Sequence, residues 1–242
     1  MSQTIEMSAH DILLELPQIE LATEDGIPLE SHKHRIQINL LVDVTQQQLR
    51  GRKDYYAGGN MFVYFSLQQA RNKDYKGPDF FVVKGVDGTR ERKAWIVWEE
   101  DGHLPNLIVE LLSPSTAHAD LTTKKDLYES RLRIPEYFCY DPDTDALQGW
   151  QLAEWLSYVL LIPDEQGRLY SAQLDVWLGL WHGEYQGMMT NWLRFFAADG
   201  TLIPTAEEFE RQRAETERQR AEAAEAEVAK LRVELQRLKS NE

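Results

Sequence analysis

Three positions in the chain pair reactive side chains with suggestive spacing. Asp79 opens the apolar run D-F-F-V-V behind Gly77 and Pro78, and Glu110 sits in the middle of N-L-I-V-E-L-L. Lys124 and Lys125 follow in A-D-L-T-T-K-K-D-L-Y-E-S-R-L-R. N-L-I-V-E-L-L reads as a strand, so Ile108, Glu110 and Leu112 share one face, and Leu107, Val109 and Leu111 the other. Both faces are apolar. A carboxylate placed there costs several kcal/mol unless it is paired or coordinated. Asp79 stands where a ladder begins. In the next helix Leu121, Tyr128 and Leu132 form the buried stripe, with the two lysines along its edges. One lysine snorkels to water, and the other is free to point at Glu110. Two chemistries fit. One is an internal salt bridge between Glu110 and a lysine. The other is metal-assisted phosphodiester hydrolysis, in which hard carboxylate oxygens hold Mg²⁺ or Mn²⁺ while a lysine orients the attacking water and neutralises developing charge. Spacing alone leaves both open.

Strands and helices must position these groups. From Ser31, Ile36, Leu40 and Val44 recur at steps of four until Gly51, which predicts a helix. N-M-F-V-Y-F-S-L, D-F-F-V-V-K-G-V, N-L-I-V-E-L-L and P-E-Y-F-C-Y-D-P read as strands. The helix between the last two implies a crossover joining parallel neighbours within a mixed sheet. Later runs, with turn signals at Asp164 to Gly167 and Asp199 to Gly200, predict hairpins packed by tryptophans. From Ala214, the positions Ala214, Glu217, Ala221, Ala224, Val228, Leu231, Leu235 and Leu238 trace a heptad seam. A lone helix cannot bury such a seam, which predicts pairing with a second copy or with its own domain. The expected organisation is an N-terminal extension over 1–20, an α/β domain over 21–203 and a charged coiled-coil helix over 204–242, joined near Pro204 and Thr205.

Composition narrows the function. The 242 residues carry a formal charge of −14, which opposes non-specific attraction to nucleic acid or anionic membrane. A bound divalent cation offsets several carboxylates at one site. The single cysteine, Cys139, excludes an intrachain disulfide and reads as a small buried hydrophobe. The absence of a signal-like N-terminus and of any apolar run long enough for a bilayer predicts a soluble, cytoplasmic protein.

Four segments in order, G-P-D-F-F-V-V at 77–83, I-V-E-L-L-S-P-S-T at 108–116, D-x-x-x-K-x-x-x-Y at 120–128 and I-P-E-Y-F-x-Y-D-P at 134–142, resemble the Uma family of restriction-endonuclease-like proteins, assigned to the PD-(D/E)XK nuclease superfamily. The resemblance covers most of residues 20 to 200. It implies a restriction-endonuclease-like mixed central sheet flanked by helices, and cleavage of DNA. Asp79 and Glu110 match the metal-binding pair. Leu112 stands where the superfamily has its lysine, and the family pattern moves that lysine to the next helix. Its spacing before the tyrosine selects Lys124 over Lys125. Glu30 resembles an accessory N-terminal glutamate, although a carboxylate ahead of a helix also serves the dipole. His32 is expected to border the cleft.

Other signals carry less. D-P-D-T-D-A from Asp141 lacks the glycine of a calcium loop, having Ala146 instead. His32 and His34, two apart on a helix, cannot both face one ion. Ser113 and Ser115 lack a nucleophile elbow. The leading expectation is a metal-dependent endonuclease, dimerised through its C-terminal helix. Its rivals are a nuclease fold that no longer cuts and serves as a binding or assembly module, and a metal-independent hydrolase using Asp79 and Glu110 as an acid and base pair.

Overall fold

The computed structural model describes residues 31–71 and 77–239; the expected extension over 1–20 and Glu30 lie outside them. Helix α1 (His32–Gln48) starts where the Ser31 hydroxyl accepts the His34 amide hydrogen at 3.2 Å, an N-cap. It buries Ile36, Leu40, Leu41 and Val44, and the chain leaves it through Gly51 at φ +85°. There follow β1 (Tyr55–Gly58), β2 (Val63–Tyr64), α2 (Leu67–Arg71), β3 (Phe80–Lys84), β4 (Trp95–Ile96) and β5 (Leu107–Leu111). A helical segment over 117–131, α3, leads to β6 (Glu136–Tyr140), β7 (Leu147–Leu152) and β8 (Tyr158–Leu160).

The central six-stranded sheet is mixed, in the order β1-β3-β5-β6-β7-β8. Strands β5 and β6 are parallel, as the intervening helix requires, and the other pairs are antiparallel. Strands β9 (Leu169–Ser171), β10 (Val176–Tyr185) and β11 (Met188–Phe196) form a second, antiparallel sheet. Its long hairpin turns at Gln186 and Gly187, both at positive φ, as a two-residue loop demands. The turns expected at Asp164–Gly167 and Asp199–Gly200 are present as well, closed by the Gly167 and Gly200 amides.

One strand is shorter than expected. N-M-F-V-Y-F-S-L contributes only β2, paired with β4 outside the central sheet. The side chain of Gln69 ends it, donating to the Val63 carbonyl at 3.0 Å and accepting from the Phe65 amide at 2.9 Å, so the backbone turns into α2. The edge position falls to β1, a short Y-Y-A-G run without a strong strand signature.

Alternation along the central strands builds a core on each face. Phe80, Val82, Leu107, Val109, Leu111, Phe138 and Tyr140 meet α1 and the second sheet. Phe81, Val83, Ile108, Leu112, Tyr137 and Cys139 meet Tyr128 and Leu132 of α3. Polar clamps fix the outer layer. The Gln37 side chain exchanges two 2.9 Å hydrogen bonds with the Leu193 backbone, and buried Glu136 accepts from the Ser171 hydroxyl at 2.5 Å and the Gln173 amide at 3.0 Å.

Helix α4 (Ala206–Lys239) begins with a capping box, in which the Thr205 amide donates to Glu208 at 2.7 Å and the Glu208 amide to the Thr205 hydroxyl at 3.2 Å. Glu208 also pairs with Arg194 of β11 at 2.7 Å, and Arg194 is wholly buried. Beyond this root the helix is exposed, Val228 and Leu231 included. Among the described residues no helix is long and apolar enough to cross a membrane. Glu208→Ala strands a buried guanidinium and removes the cap, so it should cost about 3 kcal/mol, measured as a lower urea midpoint by circular dichroism.

Candidate active site

The register of β3 against β5 pairs Phe80 with Val109, so the next step outward sets Asp79 opposite Glu110. The backbone ladder stops there, and side chains continue it. The Leu111 amide donates to Asp79 Oδ2 at 2.7 Å, and the Asp79 amide to Glu110 Oε2 at 3.3 Å. The Asp79 carbonyl instead accepts from the Asn60 amide at 3.1 Å. That approach depends on Gly59, where a Cβ would lie 2.1 Å from the Asp79 carbonyl oxygen and 2.5 Å from Ile38 Cγ2. The loop after β1 thereby splays β3 from β5 where the two acids stand.

Helix α3 supplies the cation. Lys124 Nζ lies 3.2 Å from Glu110 Oε2 and 2.7 Å from Asp120 Oδ1, and the Tyr128 hydroxyl donates to Glu110 Oε1 at 3.0 Å. Tyr137 of β6 donates in turn to the Asp120 carbonyl at 2.8 Å, tying the helix to the strand. Much of α3 is wound as π-helix, over Asp120–Lys124 and Leu127–Arg131, with a Leu132 amide to Leu127 carbonyl bond of 3.0 Å. In an α-helix, residues four apart drift around the axis, because 3.6 residues complete a turn. The wider π turns hold more residues each and bring Asp120, Lys124 and Tyr128 toward one line facing the sheet.

Lys124 therefore reaches Glu110, as expected. Lys125 does not: its Nζ lies 5.2 Å from the Trp150 ring centroid and 3.5 Å from Glu129 Oε2. Leu112 is buried in the core beside Tyr128. His32, expected to border the cleft, is exposed at the first position of α1, and among the described residues it makes no hydrogen bond or ion pair. The residue that sequence reasoning missed is Asp120. It is only 1% exposed; Lys124 meets its Oδ1, and among the described residues its buried Oδ2 accepts no hydrogen bond. The signal for it was the spacing of four to Lys124 and again to Tyr128.

Electrostatics follow from one ammonium shared by three carboxylates. Burial, with Asp79 and Asp120 adding repulsion against the relief given by Lys124, pushes the Glu110 pKa up to about 8. Burial raises Asp79 also, against the Leu111 amide and Lys124. Burial alone would lower Lys124, but Glu110, Asp120 and Asp79 outweigh it and hold the ammonium charged. Surplus negative charge, together with an Asp120 Oδ2 that among the described residues accepts no hydrogen bond, fits a site for a cation. Among the described residues no three His, Cys, Asp or Glu side chains form a ready-made cage. A hard divalent ion would thus take few protein ligands here and draw its remaining oxygens from water or substrate, the habit of Mg²⁺.

A mixed sheet bearing paired acids and a lysine at the ends of two strands defines an α/β protein with a carboxylate–lysine cluster at the edge of its core. Residues 10–182 match the Uma2 family model, described as "Putative restriction endonuclease", and the chain belongs to that family. No curated protein matches it. Among solved structures, a crystal structure from Anabaena variabilis described as "a putative nuclease belonging to DUF820" is similar at 16% identity, with 69% of this chain and 90% of that chain covered and a TM-score of 0.40. A likeness that distant adds nothing to the account of the site.

The raised Glu110 pKa sets a pH dependence. Between the ordinary carboxylate range and about 8, the folded chain holds a proton that the unfolded chain releases, so stability falls as pH rises through that window. The raised Lys124 pKa acts only above the ordinary lysine range and does not offset this. The urea midpoint should decline from about pH 5 to about pH 8, and Glu110→Gln, which cannot ionise, should show a shallower decline.

Proposed function

We propose that this chain is a metal-dependent endonuclease that hydrolyses phosphodiester bonds of DNA, acting in the cytoplasm. The observation that carries the reading is Lys124 Nζ at 3.2 Å from Glu110, with Asp79 directly opposite across the strand pair. Membership of a family described as restriction endonucleases supports it.

In this reading Asp79 and Glu110 hold Mg²⁺ or Mn²⁺, with Asp120 beside them. The ion supplies Lewis-acid charge and lowers the pKa of water. The chain's own groups do the rest. The Leu111 amide fixes Asp79 Oδ2 and, among the described residues, leaves Oδ1 without a hydrogen bond, so one oxygen of that carboxylate stays available. Tyr128 holds Glu110 Oε1, which orients Oε2 toward the opening and toward Lys124. Lys124 carries three donors on a charged head that is 23% exposed, enough to meet a phosphate oxygen or orient an attacking water. Its attachment to two acids keeps it in place before substrate arrives, so little ordering remains to be done during reaction.

Nicking of supercoiled plasmid tests this directly. Purified protein should relax plasmid with Mg²⁺ or Mn²⁺ and not with EDTA, while Glu110→Ala and Lys124→Ala each lose on the order of 10²-fold or more. A folded wild type that leaves duplex and single-stranded DNA intact would favour a binding or assembly module instead, and cleavage in EDTA would favour metal-independent acid and base chemistry.

We further propose that α4 pairs with a second copy, since Val228 and Leu231 of its seam are exposed in the single chain and a lone seam is unfavourable. Replacing both with glutamate should convert a dimer to a monomer by light scattering without changing the thermal midpoint of the domain.

A further inference from the structure

His34 is a histidine for which the sequence offered no role, and the fold gives it one. The Ser31 hydroxyl oxygen accepts the His34 amide at 3.2 Å and lies 2.7 Å from His34 Nδ1. When that hydroxyl donates its proton to Nδ1, the ring hydrogen stands on Nε2. Nε2 is buried and, among the described residues, has no hydrogen-bond partner. A buried donor of that kind is an uncommon and costly feature, and it calls for a ligand.

Two contacts fix where the ring stands. Ile38, one turn further along the same helix face, converges with the Asp79 carbonyl on Gly59. Lys33 donates to the Pro142 carbonyl at 2.5 Å, which sets the first turn of α1 over the end of β6. His34 lies between these two contacts, in the first turn of α1. It stands near enough to Asp79 and Asp141 to act electrostatically on both.

We propose that His34 is a substrate-binding residue of this site, presenting its Nε2 hydrogen to a non-bridging oxygen of the phosphodiester seated at Asp79 and Glu110. This rests on the nuclease reading. Lys124 meets the phosphate from the α3 side and His34 from the α1 side, so the strand passes between two helices and is held by donors from both. The fit is to a phosphate oxygen rather than to a base, because a single donor beside acidic groups carries no sequence information.

The full-length protein tests it with His34→Ala and His34→Gln, the latter restoring an N–H donor at similar reach. Nicking kinetics are measured with Mg²⁺, and duplex affinity by fluorescence anisotropy with Ca²⁺ in place of Mg²⁺. His34→Ala should weaken binding and raise KM by about ten- to a hundred-fold, as expected for a hydrogen bond to a charged group, and His34→Gln should recover most of the loss. A merely structural role would lower the thermal midpoint of both variants and leave KM alone. Active wild type with both variants within about twofold of it in KM and affinity overturns the assignment of His34 while the nuclease reading stands. Wild type that neither binds nor nicks DNA overturns both.

Discussion

A glutamate with no exposed surface, sharing one lysine with two aspartates, is the constraint around which this fold is arranged. Removing a carboxylate from water costs several kcal/mol, and a single shared ammonium does not restore all of it, which is why Glu110 holds its proton to about pH 8. The surrounding structure limits that cost by positioning donors. Tyr128 takes one oxygen, and the Asp79 amide and Lys124 take the other. The donors arrive from two elements, α3 and the start of β3, so both are held to β5 by the group that is most expensive to bury. Tyr137 completes the arrangement by fastening the α3 backbone to β6.

Much of this was legible in the chain. Alternation through β5 assigned Glu110 its face, because the two apolar sets Leu107, Val109, Leu111 and Ile108, Leu112 do enter opposite cores. The tyrosine spacing separated Lys124 from Lys125, and the structure sends the second to Trp150 and Glu129. Asp120 was harder to find. Its spacing of four from Lys124 reads equally as an ordinary surface ion pair. It becomes a wall of the site through its burial beside Glu110 and Lys124, and spacing alone does not report burial. The parting of β3 from β5 was equally hidden, since it goes with the close approach to the Asp79 carbonyl of Gly59, in the loop after β1. The strand expected over N-M-F-V-Y-F-S-L was ended by the side chain of Gln69, a contact that pattern reading does not weigh.

The two faces of the central sheet divide the work. The face toward α3 carries the acids and the lysine. The other carries α1 and the second sheet, and its clamps, Gln37 to Leu193 and Glu136 to Ser171, are polar bonds within an apolar interface. Buried polar pairs of this kind contribute little net stability, but they reject alternative packings in which a donor goes unmet. The Gln37 clamp fixes α1 against β11, and the position of His34, one turn earlier in the helix, is inherited from it.

The root of α4 has a mechanical consequence. The capping box at Thr205, the buried Arg194 pair and Arg50, whose guanidinium carbon lies 4.1 Å from the Phe209 ring centroid, fasten the first turn at three points. A helix of 34 residues extends about 50 Å. With its base fastened, it behaves as a ruler and not as a tether: whatever grips its far end is set at a defined distance and heading from the sheet. Sideways force applied there is delivered as torque to β11 and, through Gln37, to α1.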